Sequence, residues 1–268
     1  MTQARWFPPL LCATLTVALC FLMLPIVAIF VDTGPRDLLD SLGDPAAVDA
    51  LTLSLWTSAL AVAIIVVVGT PAAYLLATRS FRGRSVLITL VELPLVLPPA
   101  VAGIGLLAAL GPNGLLGHTL EDAGLRVVLT TASVVLALTF VAAPFYLRQA
   151  EAAFSALDRS WLDASRTLGA GEATTFARVA IPAALPGLIA GLALAWGRAL
   201  GEFGATLMFA GSFRGVTQTV PLAIYERFAT DFTAALGLSA VLVAVSAAIL
   251  LTVKLATRAS GGRGLAAR

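Results

Sequence analysis

Histidine, lysine, cysteine and charge are all scarce in this chain. The single histidine, His118, excludes a His-pair metal site. It would leave any Ser–His chemistry resting on one residue in an expected outer loop, where a lone imidazole is simply solvated. The single lysine, Lys254, follows no glycine-rich loop. A P-loop holds its phosphates with a lysine, so this chain is not itself a P-loop ATPase. The two cysteines, Cys12 and Cys20, lie in the first apolar run and make no metal site alone. They read as small apolar packing residues. Charged residues are 12% of the chain, about half the share of a soluble domain. A net charge of +2 with no basic block gives no footprint for nucleic acid.

What is present is apolar. Hydrophobic residues make up 59% of the sequence and the mean hydropathy is +0.95. This is the composition of an all-α integral membrane protein. Six apolar runs are long enough to cross a bilayer, which takes about 20 residues. They cover 8–31, 51–78, 85–110, 127–147, 185–210 and 234–256. The first run is too long for a signal-peptide core, and no small-x-small cleavage pattern closes it. Polar loops are expected at Asp32–Asp49, Gly111–Arg126 and Ser212–Thr233. Residues 1–268 read as one transmembrane domain, with no soluble domain, linker or repeat.

Orientation follows from the basic residues. With the N-terminus inside, the inner side carries Arg5, Arg79, Arg82, Arg84, Arg148, Arg159, Arg166, Arg178, Lys254, Arg258, Arg263 and Arg268. The outer side carries only Arg36, Arg126, Arg214 and Arg227. Both termini are therefore expected in the cytoplasm. Tyr74 and Tyr146 fall near inner ends of spans, where interfacial aromatics sit.

One polar stretch of length, residues 148–184, separates apolar runs on the inner side. Ser160 followed by Asp163 has the spacing of a helix N-terminal capping box. Trp161, Ala164 and Leu168 recur at helical spacing, and Gly169 supplies a stop that tolerates positive φ. A second short helix is expected from Gly171–Glu172, ending at Pro182. Two such short helices need a partner surface to be stable.

Two spans carry unusual residues. Pro94, Pro98 and Pro99 interrupt the third, which bends either for packing or around a path through the membrane. In the fifth, Arg198 and Glu202 are one helical turn apart. At ~1.5 Å per residue from Leu185, Arg198 lies roughly 20 Å in. A charge at that depth costs at least ~2.5 kcal/mol, so it is paired or wet. Two compatible readings stay open: an Arg198–Glu202 pair that neutralises itself, and an Arg198 beside a wet cavity that helps an anion pass, with Glu202 in either case keeping Arg198 from binding an anion too tightly. Gly197, Gly201 and Gly204 allow close approach of a helix or a substrate. Glu92, about seven residues past the inner edge of the third span, is expected to be half buried.

The inner stretch resembles the E-A-A motif of ABC importer permeases. Asp163-Ala164-Ser165 stands for its start, Gly169 for its glycine, and Val179-Ala180-Ile181-Pro182 for its I-x-L-P end. Asp replaces Glu and Ser replaces the second Ala. Glu151-Ala152-Ala153 spells the motif better, but puts Leu157 where that register needs glycine. The run Arg198-Ala199-Leu200-Gly201-Glu202-Phe203-Gly204-Ala205-Thr206 is similar to molybdate permease subunits, as are Leu93–Pro99 and Thr217–Tyr225. The G-E-F-G-A core is shared with sulfate permeases.

The resemblance implies a type I ABC importer permease fold in the bacterial inner membrane, surrounded by lipid. It implies a homodimer resting on a pair of separate ATPase subunits, which hold the ATP and Mg, with no cofactor bound by this chain. An extracytoplasmic molybdate-binding protein would deliver molybdate or tungstate. Asp163, Ala164, Ser165, Gly169, Val179, Ile181 and Pro182 would couple to the ATPase. Pro94, Pro98, Pro99, Arg198, Gly201, Glu202, Phe203 and Gly204 would border the pathway. The competing functions are a sulfate or thiosulfate permease, a passive anion channel and a membrane-embedded enzyme. A channel needs no glycine-hinged inner helix pair. An enzyme would have only Glu92, Arg198 and Glu202 to work with at membrane depth.

Overall fold

The computed structural model describes residues 7–265; side chains at 35, 37–39 and 256–265 lie outside that description, as do Arg5, Arg258, Arg263 and Arg268 of the inner basic set. Every regular element among the described residues is helical. In order they are α1 (Phe7–Asp32), α2 (Pro35–Gly43), α3 (Pro45–Thr78), α4 (Arg84–Val96), α5 (Pro99–Leu110), α6 (Gly117–Asp122) and α7 (Thr131–Ser155). There follow α8 (Arg159–Thr167), α9 (Glu172–Thr175), a π turn (Phe176–Ala180), α10 (Ile181–Leu200), α11 (Gly204–Ala210), α12 (Val220–Phe228) and α13 (Phe232–Leu265).

Five helical stretches are long and apolar enough to cross a membrane, and α4 with α5 makes a sixth if the bent pair is one span. The six expected spans are thus present, with different edges. The second begins at Pro45 rather than Leu51, because Asp44 caps it: its Oδ1 accepts the Ala46 N–H at 2.9 Å, and Pro45 fits the first turn. The fourth starts at Thr131, where Thr130 and Ser133 form a reciprocal capping box, and it runs on to Ser155. Each outer loop read as polar coil contains a short helix, α2, α6 or α12.

The third span is not one rod. Between Val96 and Pro99 it turns by 113°. Pro98 and Pro99 lack the N–H groups a continuous helix would need there, and Pro99 suits the first turn of a new one. The fifth span also differs. It does not start at Leu185 after a break at Pro182, but runs from Glu172 through the π turn to Leu200. Within the turn the Ile181 N–H reaches the Phe176 carbonyl. The wider turn accommodates Pro182, which has no N–H to contribute. Hence the inner loop shrinks from 148–184 to the segment between α7 and α9.

The main core lies where α3, α7 and α10 meet. Ala61, Ala73, Ala142, Ala150, Ala184 and Ala195 are buried there with Leu138 and Phe154. Small side chains suit a bundle in lipid, where close backbone approach replaces the hydrophobic drive. A second cluster (Ala102, Val141, Phe209) joins α5, α7 and α11, and a third (Ala47, Val220, Leu238) joins α3, α12 and α13. No side chain of α1 is buried within the chain. Cys12 and Cys20, exposed on α1 and free, therefore pack nothing within it, contrary to the sequence expectation. The two tyrosines read as interfacial differ in their surroundings. Tyr146 is buried inside the bundle, bonded through its hydroxyl to Thr70 at 2.6 Å, whereas Tyr74 is half buried, edge-on to Phe154 and tilted against Phe176.

Candidate functional site: a broken-helix crossing and an inner helix pair

The two breaks in the bundle face one another. Gly204 opens α11, and a Cβ there would lie 3.0 Å from Pro99 Cβ and 3.1 Å from Ala100 N, at the start of α5. Deeper along the crossing, a Cβ on Gly103 would sit 2.7 Å from the Ala205 carbonyl oxygen. Only glycine permits this approach of two half-helices. Pro98 and Pro99 are exposed beside it, and Pro94 is half buried within α4. The prolines and the glycine run, far apart in sequence, thus meet.

Glu202 organises the second break. It is 1% exposed. Its Oε1 accepts the Ala205 N–H of α11 at 2.7 Å. Its Oε2 lies 2.6 Å from Arg198 Nη2, an ion pair without hydrogen-bond alignment. Arg198 sits in the last turn of α10, where the helix dipole favours a cation. The carboxylate therefore joins the end of one helix to the start of the next. The expected pairing of Arg198 with Glu202 is present in the geometry. Gly201, exposed, ends α10, and Phe203 packs its ring on Tyr225 with centroids 5.1 Å apart.

On the side of the basic excess, α8 is capped by Asp158 rather than Ser160. Asp158 Oδ1 accepts the Ser160 N–H at 2.9 Å, and this bond holds the Asp158 carboxyl below its usual range. Asp163 is exposed and pairs instead with Arg166 at 3.1 Å. Trp161, Ala164 and Leu168 are all exposed, so the apolar stripe of α8 faces away from the bundle; Leu162 is the residue it buries. Gly169 has φ of +82°, the left-handed conformation expected of the stop. Ser165 Oγ lies 2.9 Å from Thr175 Oγ1 and ties α8 to α9. Glu172 adds a clamp to the same turn by pairing with Arg79 and Arg166. Val179 and Ile181, half buried, pack against the main core, while Pro182 is exposed.

Sequence reasoning missed the contacts that hold this end together. Glu151, set aside with its decoy motif, lies inside α7 and accepts from Arg84 at 3.0 Å and Arg148 at 3.3 Å. Glu92 is half buried as expected, and Arg148 Nε pairs with it at 2.9 Å. At the opposite, outer end, Ser54 on α3 caps α12 by accepting the Val220 N–H at 2.8 Å. The signal was an excess of arginines facing few acids, which predicts pairing but not the partners. His118 is exposed, as a solvated residue should be. No cluster of metal-ligating side chains occurs among the described residues.

A bundle of membrane-crossing helices with one bent pair and an inner, outward-facing helix on a glycine turn is the architecture of an importer's pore subunit. The chain belongs to the binding-protein-dependent transport system inner membrane components, matched over residues 66–261. It is 45% identical over 235 residues to the molybdenum transport system permease protein ModB of Mycobacterium tuberculosis, covering 87% of this chain and 88% of that one. It is 30% identical over 241 residues to a probable sulfate transport system permease protein of Chlorokybus atmophyticus, covering 88% and 84%. The fold matches a bacterial ABC transporter involved in the import of the acidic polysaccharide alginate, with TM-score 0.71 at 18% identity over 94% of this chain and 95% of that one. The chain is thus an inner-membrane permease subunit of an ABC importer, a transport pore component.

Proposed function

We propose that this chain carries molybdate, or tungstate, across the inner membrane as one domain, pairing with a second copy of itself. ATP and Mg act on a separate pair of ATPase subunits, and an extracytoplasmic binding protein supplies the anion. The observation that carries the pathway is the apposition of Pro99 and Gly204, where two half-helices begin beside the Arg198–Glu202 pair. Half-helix N-termini favour negative charge. Pairing removes the net positive charge that would trap a dianion, and a pore needs a weak site from which its ion can leave. Pro94, Pro98, Pro99, Gly201, Phe203 and Gly204 border this crossing in the proposal. Coupling runs through α8: its exposed Trp161–Ala164–Leu168 stripe meets the ATPase. Asp163, Ala164, Ser165, Gly169, Val179, Ile181 and Pro182 set the angle of that helix against the fifth span. Molybdate is preferred to sulfate because the similarity to a molybdenum permease is the greater of the two.

The test is uptake of labelled molybdate by vesicles holding this chain with its ATPase and binding protein, with and without ATP. Uptake that needs ATP and resists excess sulfate supports the proposal. Uptake abolished by sulfate assigns the chain to sulfate transport. Flux without ATP makes it a passive channel.

A further inference from the structure

A cavity of about 390 Å³ lies at the end of the bundle that carries α8, bordered by the end of α3, the end of α7 and one face of α8. Four arginines line it: Arg79 just past α3, Arg84 at the start of α4, and Arg159 and Arg166 on α8. Asp163 is the one acid among the lining residues. The charges do not cancel. Arg84 is spent, donating to Glu151 at 3.0 Å and to the Leu76 carbonyl at 2.6 Å. Arg79 and Arg166 share Glu172, and Arg166 also holds Asp163. Arg159 lines the cavity, is exposed, and has no carboxylate partner among the described residues. Its neighbour Asp158 caps α8 and lines a different hollow, beside Trp161 and Gly187. Arg79, Arg159 and Arg166 thus face only Asp163 and Glu172. A guanidinium carries five N–H donors, and these pairs occupy few of them.

The two sides of α8 are distinct. At about 3.6 residues per turn, Arg159, Asp163 and Arg166 share one face, and Trp161, Ala164 and Leu168 lie on the opposite one. An occupant of the cavity therefore does not compete with the face proposed to meet the ATPase. We infer that this cavity binds a phosphate-type oxyanion, either a free ion of the cytoplasm or the phosphate of a phospholipid headgroup, held by Arg79, Arg159 and Arg166. Planar guanidinium forks match the oxygens of such an anion, and a charge-assisted bond to it is among the stronger hydrogen bonds. Bound there, the anion bridges Arg79, at the end of the second span, to α8, and so fixes the tilt of α8 against the bundle.

Two binding measurements on the purified full chain test this, and neither depends on transport. Isothermal titration with inorganic phosphate, against chloride at matched ionic strength, reads the free ion. Native mass spectrometry with added phosphatidylglycerol reads the headgroup. Arg159→Gln breaks no ion pair of the fold, and should weaken binding of the true ligand about tenfold, the loss of one charge-assisted partner. Arg159→Lys keeps the charge without the fork and should fall between. Arg178→Gln, an exposed arginine outside the cavity lining, should bind as wild type does. A phosphate response lost in Arg159→Gln assigns the site to a free anion; lipid retention lost in that variant, without a phosphate response, assigns it to a headgroup. Arg159→Gln matching wild type in both measurements overturns the site. So does an equal loss in Arg178→Gln, because the effect would then be one of surface charge.

Discussion

Ser165 and Thr175 share a hydrogen bond of 2.9 Å across the Gly169 turn, and Thr175 is fully buried. A buried hydroxyl stripped of its partner costs about 1–3 kcal/mol, whereas removing both partners is nearly neutral. Ser165→Ala should therefore destabilise the turn, and Ser165→Ala with Thr175→Val should be milder than the single change. Thermal melting of the reconstituted assembly reads the stability. The ratio of uptake to ATP hydrolysis reads the coupling. Equal melting of wild type and Ser165→Ala would show that the bond does not hold α8.

Gly169 has open space around the position of a Cβ, yet its φ of +82° is one that side chains rarely adopt. The objection to a side chain is conformational rather than steric. Asparagine visits this region more readily than β-branched residues do. Gly169→Asn should keep most transport, Gly169→Asp should uncouple it in part by adding charge to the turn proposed to dock, and Gly169→Val should lose most of it. All three should insert at normal levels. Uptake per ATP hydrolysed orders the series; a Val variant as active as the Asn variant would remove the need for a left-handed stop.

Much of this was legible in the sequence, for identifiable reasons. Span number and orientation follow from apolar length and arginine placement, and the Arg198–Glu202 pair from the expense of a lone charge in lipid. Gly169 reported its backbone conformation directly. Other features are not local. Three prolines announce a disturbance in the third span, but its 113° turn depends on Gly103 and Gly204 admitting α5 against α11. Pro182 looked like a helix end because a regular α-helix cannot absorb it, whereas a π turn can. Ser160 matched a capping pattern that Asp158, two residues earlier, satisfied first. The burial of Tyr146 depends on Thr70 across a helix interface, which no spacing rule reveals.

Asp158 gives the inner helix a pH response. The Ser160 backbone N–H holds its carboxyl below the usual range, and side chain and cap are solvent-exposed. A lowered value in the folded state means the stabilisation is fully present above the unfolded aspartate pKa. It is lost as pH falls through the lowered folded value. A spin label at Leu168→Cys, in a Cys12→Ser, Cys20→Ser background, should gain mobility as the pH drops through that window. Asp158→Asn keeps an accepting oxygen without the charge and should flatten the response. Asp163 and Glu172 are ion-paired nearby, so the difference between the two proteins is the readout. Identical curves would mean that Asp158 does not govern α8.

The sharpest mutational test lies at Arg198. Removing the guanidinium leaves Glu202, 1% exposed, as a buried carboxylate with only the Ala205 N–H to stabilise it. Breaking a buried pair in this way costs about 3–5 kcal/mol. Replacing both members by neutral groups removes the stranded charge, but the substitution at Glu202 has to respect its second role. Alanine would also expose the first turn of α11 by deleting the acceptor for Ala205, while glutamine retains it. The expected order of melting temperature is wild type, then Arg198→Ala with Glu202→Gln, then Arg198→Ala with Glu202→Ala, with Arg198→Ala alone the lowest. Arg198→Ala equal to the double alanine variant would sink the pairing argument. Equal stability of the two double variants would sink the capping argument and leave the pairing intact. Uptake measured on the Gln double variant then asks a separate question. If its transport matches wild type once stability is restored, Arg198 serves the helix break alone; if transport stays low in a stable protein, the guanidinium also meets the anion.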